Sequence, residues 1–252
     1  MEIQGKVAIV TGSSAGVGRA TAELLARLGA SVVVNYAHSE ADAHEVVAAI
    51  ESAGGTAHAF RADVAQDAEC RALIQHAVDT YSRLDILVNN AGRTHFIDHA
   101  DLDAVTDQVW DDILSVNVRG VFNCTRAAAP HLRASADGAV VNVASIAGLR
   151  GVGSSIPYAV SKAGVINLTR SLARVLAPEV RVNCIAPGFI DGRWLRGGIG
   201  DNYEAVRARA AENTPLKNVA TPETCADAIL GFIATNTFVT GQTLTVDGGA
   251  SL

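Results

Sequence analysis

Lysine is scarce in this chain: Lys6, Lys162 and Lys217 are its three lysines, against seventeen arginines. Basic runs are absent and the formal charge is −6, so nothing supports nucleic-acid binding. No stretch reaches the ~18 uncharged apolar residues of a membrane span, and no charged region precedes an apolar one at Met1. The four cysteines, Cys70, Cys124, Cys184 and Cys225, lie far apart, with no CxxC pair and no histidine spaced for zinc. They read as reduced, buried thiols of a cytoplasmic protein. Linkers, charge blocks and internal repeats are missing too, so residues 1–252 are expected to form a single domain. Apolar residues are plentiful. They make up 49 % of the chain, which promises a deep core and argues against disorder.

Read in order, the chain alternates short apolar runs with helical patterns. The runs centre on Lys6–Thr11, Ser31–Tyr36, Thr56–Ala62, Leu84–Val88, Ala139–Val143, Val180–Ile185 and Gln242–Val246. Near-continuous apolar strands are covered on both faces, and strict β–α alternation gives a parallel sheet. The expected fold is therefore α/β, a doubly wound (Rossmann) parallel sheet of about seven strands with helices on both faces. Between the first strand and a helix over 19–28 lies Thr11-Gly12-Ser13-Ser14-Ala15-Gly16-Val17-Gly18. Strand, glycine turn and helix aim free N–H groups and a positive helix end at a phosphate. A helical pattern covers 107–133, and residues 189–215 form a long irregular segment with one polar helix near 203–212. In such sheets ligands bind beyond the C-terminal strand ends. The ends of strands one, four, five and six carry Gly12, Asn89-Asn90-Ala91-Gly92, Ser145 and Pro187-Gly188, which should converge on one crevice.

Chemistry is concentrated in Gly153-Ser154-Ser155-Ile156-Pro157-Tyr158-Ala159-Val160-Ser161-Lys162. Ser154 or Ser155 followed by Pro157 reads as a helix start. Inside that helix Tyr158 and Lys162 are four apart and share a face. A free phenol has a pKa of about 10 and is a poor base at neutral pH. Lowering it to near 7 takes about 4 kcal/mol of preference for the phenolate. A cation ~4 Å away supplies that order of energy at an effective dielectric of about 20. Tyr158 is then expected to exchange a proton with an alcohol or carbonyl oxygen. The bland alternative, two surface residues that happen to be four apart, is disfavoured by how few lysines there are.

With these residues laid out, the chain resembles the short-chain dehydrogenase/reductase family along essentially its full length. The motifs that carry the resemblance stand in order: the Thr11–Gly18 turn, Asp63, Asn89-Asn90-Ala91-Gly92, Asn117, Ser145, Tyr158-x-x-x-Lys162 and Pro187-Gly188. The resemblance implies that Tyr158 is the general acid/base. Lys162 lowers its pKa and holds the nicotinamide ribose, Ser145 binds the substrate oxygen, and Asn117 keeps a water in the proton path. It implies a dinucleotide held by Gly12, Ser14, Gly16, Val17 and Gly18 at the pyrophosphate. Asp63 and Val64 would lie at the adenine, Asn90 at its ribose, and the Ile190 backbone at the carboxamide. The family often has a threonine two residues beyond Ile190; this chain has Gly192, so that donor is missing or comes from elsewhere.

Strand two ends in Asn35-Tyr36-Ala37-His38-Ser39, with neither the acid usual for NAD(H) nor the usual arginine for NADP(H). With no carboxylate to repel a 2′-phosphate, and Ser14, His38 and Ser39 able to bind one, NADP(H) is favoured and NAD(H) is the alternative. The expected activity is interconversion of a ketone or aldehyde with an alcohol, on a free small-molecule carbonyl compound. A 3-oxoacyl thioester reductase ranks second, since no basic patch near 134–137 offers itself to an acidic carrier. A cofactor-binding sensor without turnover is a further alternative, as is a lyase or epimerase, which usually has a longer C-terminal substrate domain. The His95-Phe96-Ile97-Asp98-His99 cluster reads as a polar entrance loop rather than a metal site. Residues 189–215, with Phe189, Trp194 and Tyr203, read as a substrate lid. Arg93, Arg150, Arg193 and Arg196 flank the crevice, and some of them are expected to meet an anionic substrate group. The family implies a homotetramer.

Overall fold

A computed structural model describes all of residues 1–252. Seven strands form one parallel sheet: β1 (Val7–Val10), β2 (Ser31–Tyr36), β3 (Thr56–Arg61), β4 (Ile86–Asn89), β5 (Gly138–Val143), β6 (Val180–Pro187) and β7 (Thr243–Val246). Their spatial order is β3-β2-β1-β4-β5-β6-β7, so the winding direction reverses between β1 and β4. Alternate residues of each strand feed two separate cores. In β1, Ala8 and Val10 face α1 (Gly16–Arg27), α2 (Glu40–Ser52) and α10 (Pro222–Leu230). Val7 and Ile9 face the opposite layer of α3 (Asp67–Tyr81), α5 (Val121–Ala134) and α7 (Ile156–Leu176). Burial on both faces is why these strands carry Val and Ile at consecutive positions.

Two local departures from the sequence reading matter for the site. The region 107–133 is not one regular helix. α4 (Asp107–Leu114) passes into α5 through a π-helical turn over Ser115–Gly120, and Asn117 sits inside it. An extra residue in a turn rotates side chains out of the helical rows, and such turns gather at functional positions. The segment 189–215 holds two helices where one was expected: α8 (Arg193–Ile199) precedes α9 (Tyr203–Asn213), joined by a 3₁₀ turn over Gly200–Asn202. Gly197 and Gly198 lower the helical propensity of α8 and hide it from pattern reading. A short helix, α6 (Ala147–Arg150), follows β5.

The start of α7 follows the expected capping. Ser155 is the N-cap, its hydroxyl accepts the Tyr158 N–H at 3.4 Å, and Pro157 occupies the first turn. Ser39 stands at the N-cap of α2 without a side-chain cap bond, so its hydroxyl stays free at the end of β2.

Candidate active site

The glycine turn after β1 is built against the ends of β2 and β4. Thr11 Oγ1 accepts the N–H groups of Asn90 and Ala91, each at 3.0 Å. The Asn90 amide donates to the carbonyls of Thr11 and Gly12, each at 2.9 Å, so it braces the turn. Asn35 Oδ1 accepts the Gly12 N–H at 3.1 Å. Gly12 has φ +61°, and a Cβ there would lie 2.9 Å from Ala91 Cα, so only glycine fits. Gly16 is the contrary case: at φ +56° it has nothing within 4 Å of its missing Cβ and faces open space. α1 begins there with Ala15 as N-cap and no side-chain cap, which leaves the first-turn N–H groups of Gly16, Val17 and Gly18 free for a ligand. An uncapped helix end behind an open glycine fits a dinucleotide phosphate. Further along the crevice, Asp63 closes a turn by accepting the Ala65 N–H at 2.9 Å. Val64 is buried, its Cγ2 2.8 Å from where Gly120 would carry a Cβ. Ile190 pairs with Ala220 in an isolated bridge.

The four residues expected to act catalytically converge at the other end. Tyr158 and Lys162 share the inner face of α7, with Nζ 5.6 Å from the phenol ring centre. Lys162 is 3 % exposed and donates to the Val143 carbonyl at 2.8 Å. Ser145 follows β5; its Oγ accepts the Ala147 N–H at 3.1 Å and faces the phenol. Asn117 clamps the chain after Gly92: Oδ1 accepts the Arg93 N–H at 2.7 Å, and Nδ2 donates to the Arg93 carbonyl and Ser161 Oγ, each at 2.9 Å. Lys162 Nζ and Asn117 Oδ1 both lie 3.7 Å from the position a Gly92 Cβ would take, so the loop's lack of a side chain keeps the crevice open.

The electrostatics differ from the expectation of a lysine-acidified phenol. Burial dominates and pushes Tyr158 up to about 12, while the Ser145 hydroxyl pulls it partly back. Burial also lowers Lys162 to about 8. Lys162 donates to the Val143 carbonyl, and the buried phenol is protonated at neutral pH in the protein by itself.

Comparison with known proteins agrees with this geometry. The profile of a family described as enoyl-(acyl carrier protein) reductase matches residues 12–251. A Streptomyces violaceoruber protein named as ketoacyl reductase 2 of the granaticin polyketide synthase is 49 % identical over 246 residues, covering 98 % of this chain and 96 % of the relative. The 3-oxoacyl-[acyl-carrier-protein] reductase of Synechocystis sp. is 40 % identical, over 97 % of this chain and 96 % of its own. A crystal structure described as a short-chain dehydrogenase/reductase from Burkholderia xenovorans superposes with a TM-score of 0.91 at 38 % identity, covering 98 % of both chains. The chain belongs to the short-chain dehydrogenase/reductase family. It is an NAD(P)-dependent oxidoreductase of that family.

Beneath this short-chain dehydrogenase site Asn89, already noted at the end of strand four, heads a chain whose other members, Asn142 and Thr169, escaped the sequence reading. Asn89, Asn142 and Thr169 form a buried ladder beneath it: Asn89 Nδ2 donates to Asn142 Oδ1 at 2.8 Å, and Asn142 Nδ2 donates to Thr169 Oγ1 at 2.9 Å. A polar residue inside an apolar strand was the available signal, repeated at Asn35, Asn89, Asn142 and Asn183. Tyr203, expected in the pocket or lid, is a buried latch. Its hydroxyl donates to Asp191 at 2.6 Å and accepts the Gly192 N–H at 3.2 Å.

The four flanking arginines are all engaged. Arg93 lies 3.5 Å from Asp112, Arg150 donates to the Ala250 carbonyl at 2.9 Å, Arg193 pairs with Asp42 at 2.9 Å and Arg196 with Glu204 at 2.6 Å. Arg93, Arg193 and Arg196 pair with acids on neighbouring segments, whereas Arg150 bonds only a backbone carbonyl and carries no acidic partner. His95 and His99 lie in a loop, with His95 Nε2 3.1 Å from Asp112 Oδ2.

Proposed function

We propose that this enzyme reduces a ketone to a secondary alcohol with NADP(H), with Tyr158 as the proton donor. The observation that carries the reading is the convergence of Tyr158, Lys162, Ser145 and Asn117 around the Gly92 loop. The bound nicotinamide supplies the hydride. Ser145 and Tyr158 together hold the carbonyl oxygen where negative charge develops, and the phenol, protonated at neutral pH, gives that oxygen its proton. Lys162 keeps a positive charge beside the oxygen and holds the nicotinamide ribose. Asn117 positions the chain at Arg93 and the water route behind Lys162. Gly12, Ser14, Gly16, Val17 and Gly18 hold the pyrophosphate, Asp63 and Val64 the adenine, Asn90 the turn at its ribose, and the Ile190 backbone the carboxamide.

NADP(H) is supported by the absence of a carboxylate over 35–39 and by the free hydroxyl of Ser39. Arg61, opposite Tyr36 in the sheet register and without an acidic partner, adds a cation the sequence reading missed. Segment 189–215 acts as the substrate lid. A homotetramer acting in the cytoplasm is supported by exposed Phe122, Val160 and Val175 on α5 and α7, Leu244 on β7, and four free cysteines. Sedimentation of the purified protein checks the assembly. The second reading, 3-oxoacyl thioester reduction, is favoured by the names of the Streptomyces and Synechocystis relatives. A panel of ketones and 3-oxoacyl thioesters, run with both dinucleotides and followed at the nicotinamide absorbance, tests these points. A tenfold preference for NAD(H) contradicts the cofactor assignment.

A further inference from the structure

Residues 93–97 form a short strap without helix or strand, laid between α4 and the start of α7. Its side chains leave in turn to either side. Arg93 and His95 reach Asp112 on α4: His95 Nε2 lies 3.1 Å from Oδ2, and Arg93 Nη2 lies 3.5 Å from the same oxygen. A carboxylate only accepts, so the imidazole carries its proton on Nε2 there. Gln108, one turn back on α4, donates to the other oxygen, Oδ1, at 3.0 Å. Thr94 turns the other way, its Oγ1 2.6 Å from Ser154 Oγ, and the Ile97 N–H donates to the Ser154 carbonyl at 2.8 Å. Ser154 directly precedes Ser155, whose hydroxyl caps α7 at the Tyr158 N–H.

The strap begins where the crevice is narrowest. A Gly92 Cβ would lie 3.7 Å from Lys162 Nζ, and the next residue, Arg93, has both its backbone groups bonded by the Asn117 amide. Asn117 fixes one residue of the strap, and a single pinned residue leaves the chain beyond it free to swing. Asp112, five residues earlier on the same helical segment, supplies a second fixed point at His95. Both of its oxygens are taken, and the Gln108 amide and, less strongly, His95 hold its carboxyl below the usual carboxylate range. A charged acceptor makes the stronger hydrogen bond. Pinned at Arg93 and His95 on one side and at Thr94 and Ile97 on the other, the strap is a spacer of fixed length. That length sets how the first turn of α7, which carries Tyr158, stands against Gly92 and Asn117. A displacement of about 1 Å at reacting groups costs up to about 10²-fold in rate.

We infer that Asp112 is a positioning residue for the reduction: through His95 it fixes the strap that sets Tyr158 against the Gly92 loop and Asn117. The inference rests on the reading of Tyr158 as proton donor in ketone reduction and adds to it a residue that acts through another. The probe is whichever of ethyl acetoacetate and α-tetralone the wild type reduces faster. Asp112→Ala should lower kcat about tenfold, with KM for the ketone and dinucleotide affinity by calorimetry each within about twofold. Asp112→Asn keeps an acceptor for His95 Nε2 and should hold kcat within about threefold of the wild type. The exposed Arg93 contact that it gives up contributes little. His95→Ala removes the same bond from the loop side and leaves α4 untouched, so it reports the loss even where Asp112→Ala folds poorly. The double variant should lose no more than the worse single one, because both remove one contact. Wild-type kcat in His95→Ala, losses confined to KM, Asp112→Asn as slow as Asp112→Ala, or losses that multiply in the double variant each overturn the inference and leave the ketone reading standing. Full activity in Tyr158→Phe, or no turnover of any ketone by the wild type, overturns that reading and the inference with it.

Discussion

Tyr158 is protonated at neutral pH, as a free phenol is, and burial raises it further to about 12 while the Ser145 hydroxyl offsets part of that rise. Lys162, lowered by burial to about 8, is charged below that pH and loses its charge above it. The two together bias the site toward giving protons to a developing alkoxide. Ketone reduction should therefore be flat from about pH 6 to 7.5 and fall with a midpoint near pH 8 as Lys162 deprotonates. Alcohol oxidation, which needs the phenolate, should still be rising through that range. Initial rates in both directions across pH 6–10 decide this, and a reduction rate unchanged to pH 10 contradicts it. None of this was legible in the residue spacing. Tyr158 and Lys162 were visible as a pair on one helix face, but the sign of the phenol's shift depends on burial, which residue spacing does not reveal.

Secondary-structure elements carry the next level of the argument. The ladder from Asn89 through Asn142 to Thr169 joins β4, β5 and α7 at their buried centre. Asn142→Val removes one of two bonds from the Asn89 amide and one of two from the Thr169 hydroxyl and should cost about 2 kcal/mol, a fall in Tm of roughly 4–8 °C. Thermal unfolding checks it, and an unchanged Tm removes the ladder from the account. Asp191→Ala should free α8 and α9 from their stem while sparing the sheet. The expected result is about a tenfold rise in KM for the ketone, with dinucleotide affinity within about twofold. Steady-state kinetics and calorimetry separate the two. Elements with strong periodicity, such as α7 and the buried strands, could be read from the chain. α8 could not, because its paired glycines mask it and because its anchor, the Arg193–Asp42 pair, links residues 151 apart in sequence. The π turn at Asn117 was invisible for the same kind of reason. Asn117 inside it makes a tertiary contact, bonding the Arg93 backbone, that helical periodicity does not encode.

Over the whole molecule, β–α alternation and double-sided strand burial sufficed to predict a doubly wound parallel sheet with a crevice beyond its C-terminal strand ends. The strand order and its reversal between β1 and β4 depend on tertiary packing that the pattern does not encode. Stability has its own pH dependence away from that crevice. His76 stacks on Phe60 at 4.5 Å and meets the edge of His58, and burial followed by His58 lowers its pKa from 6.5. A depressed histidine is neutral in the fold but takes up a proton in the unfolded chain. Its contribution is therefore present above pH 6.5 and is lost as pH falls toward the folded value. His76→Phe should flatten the decline in Tm between pH 7 and 5, and an undiminished decline assigns it to other groups.

The most direct measurement on the central claim is single-turnover reduction by Tyr158→Phe, beside dinucleotide binding by calorimetry. The account predicts a loss of about 10²–10⁴-fold in rate, with binding within about twofold of the wild type. A variant that still reduces ketones at the wild-type rate contradicts it.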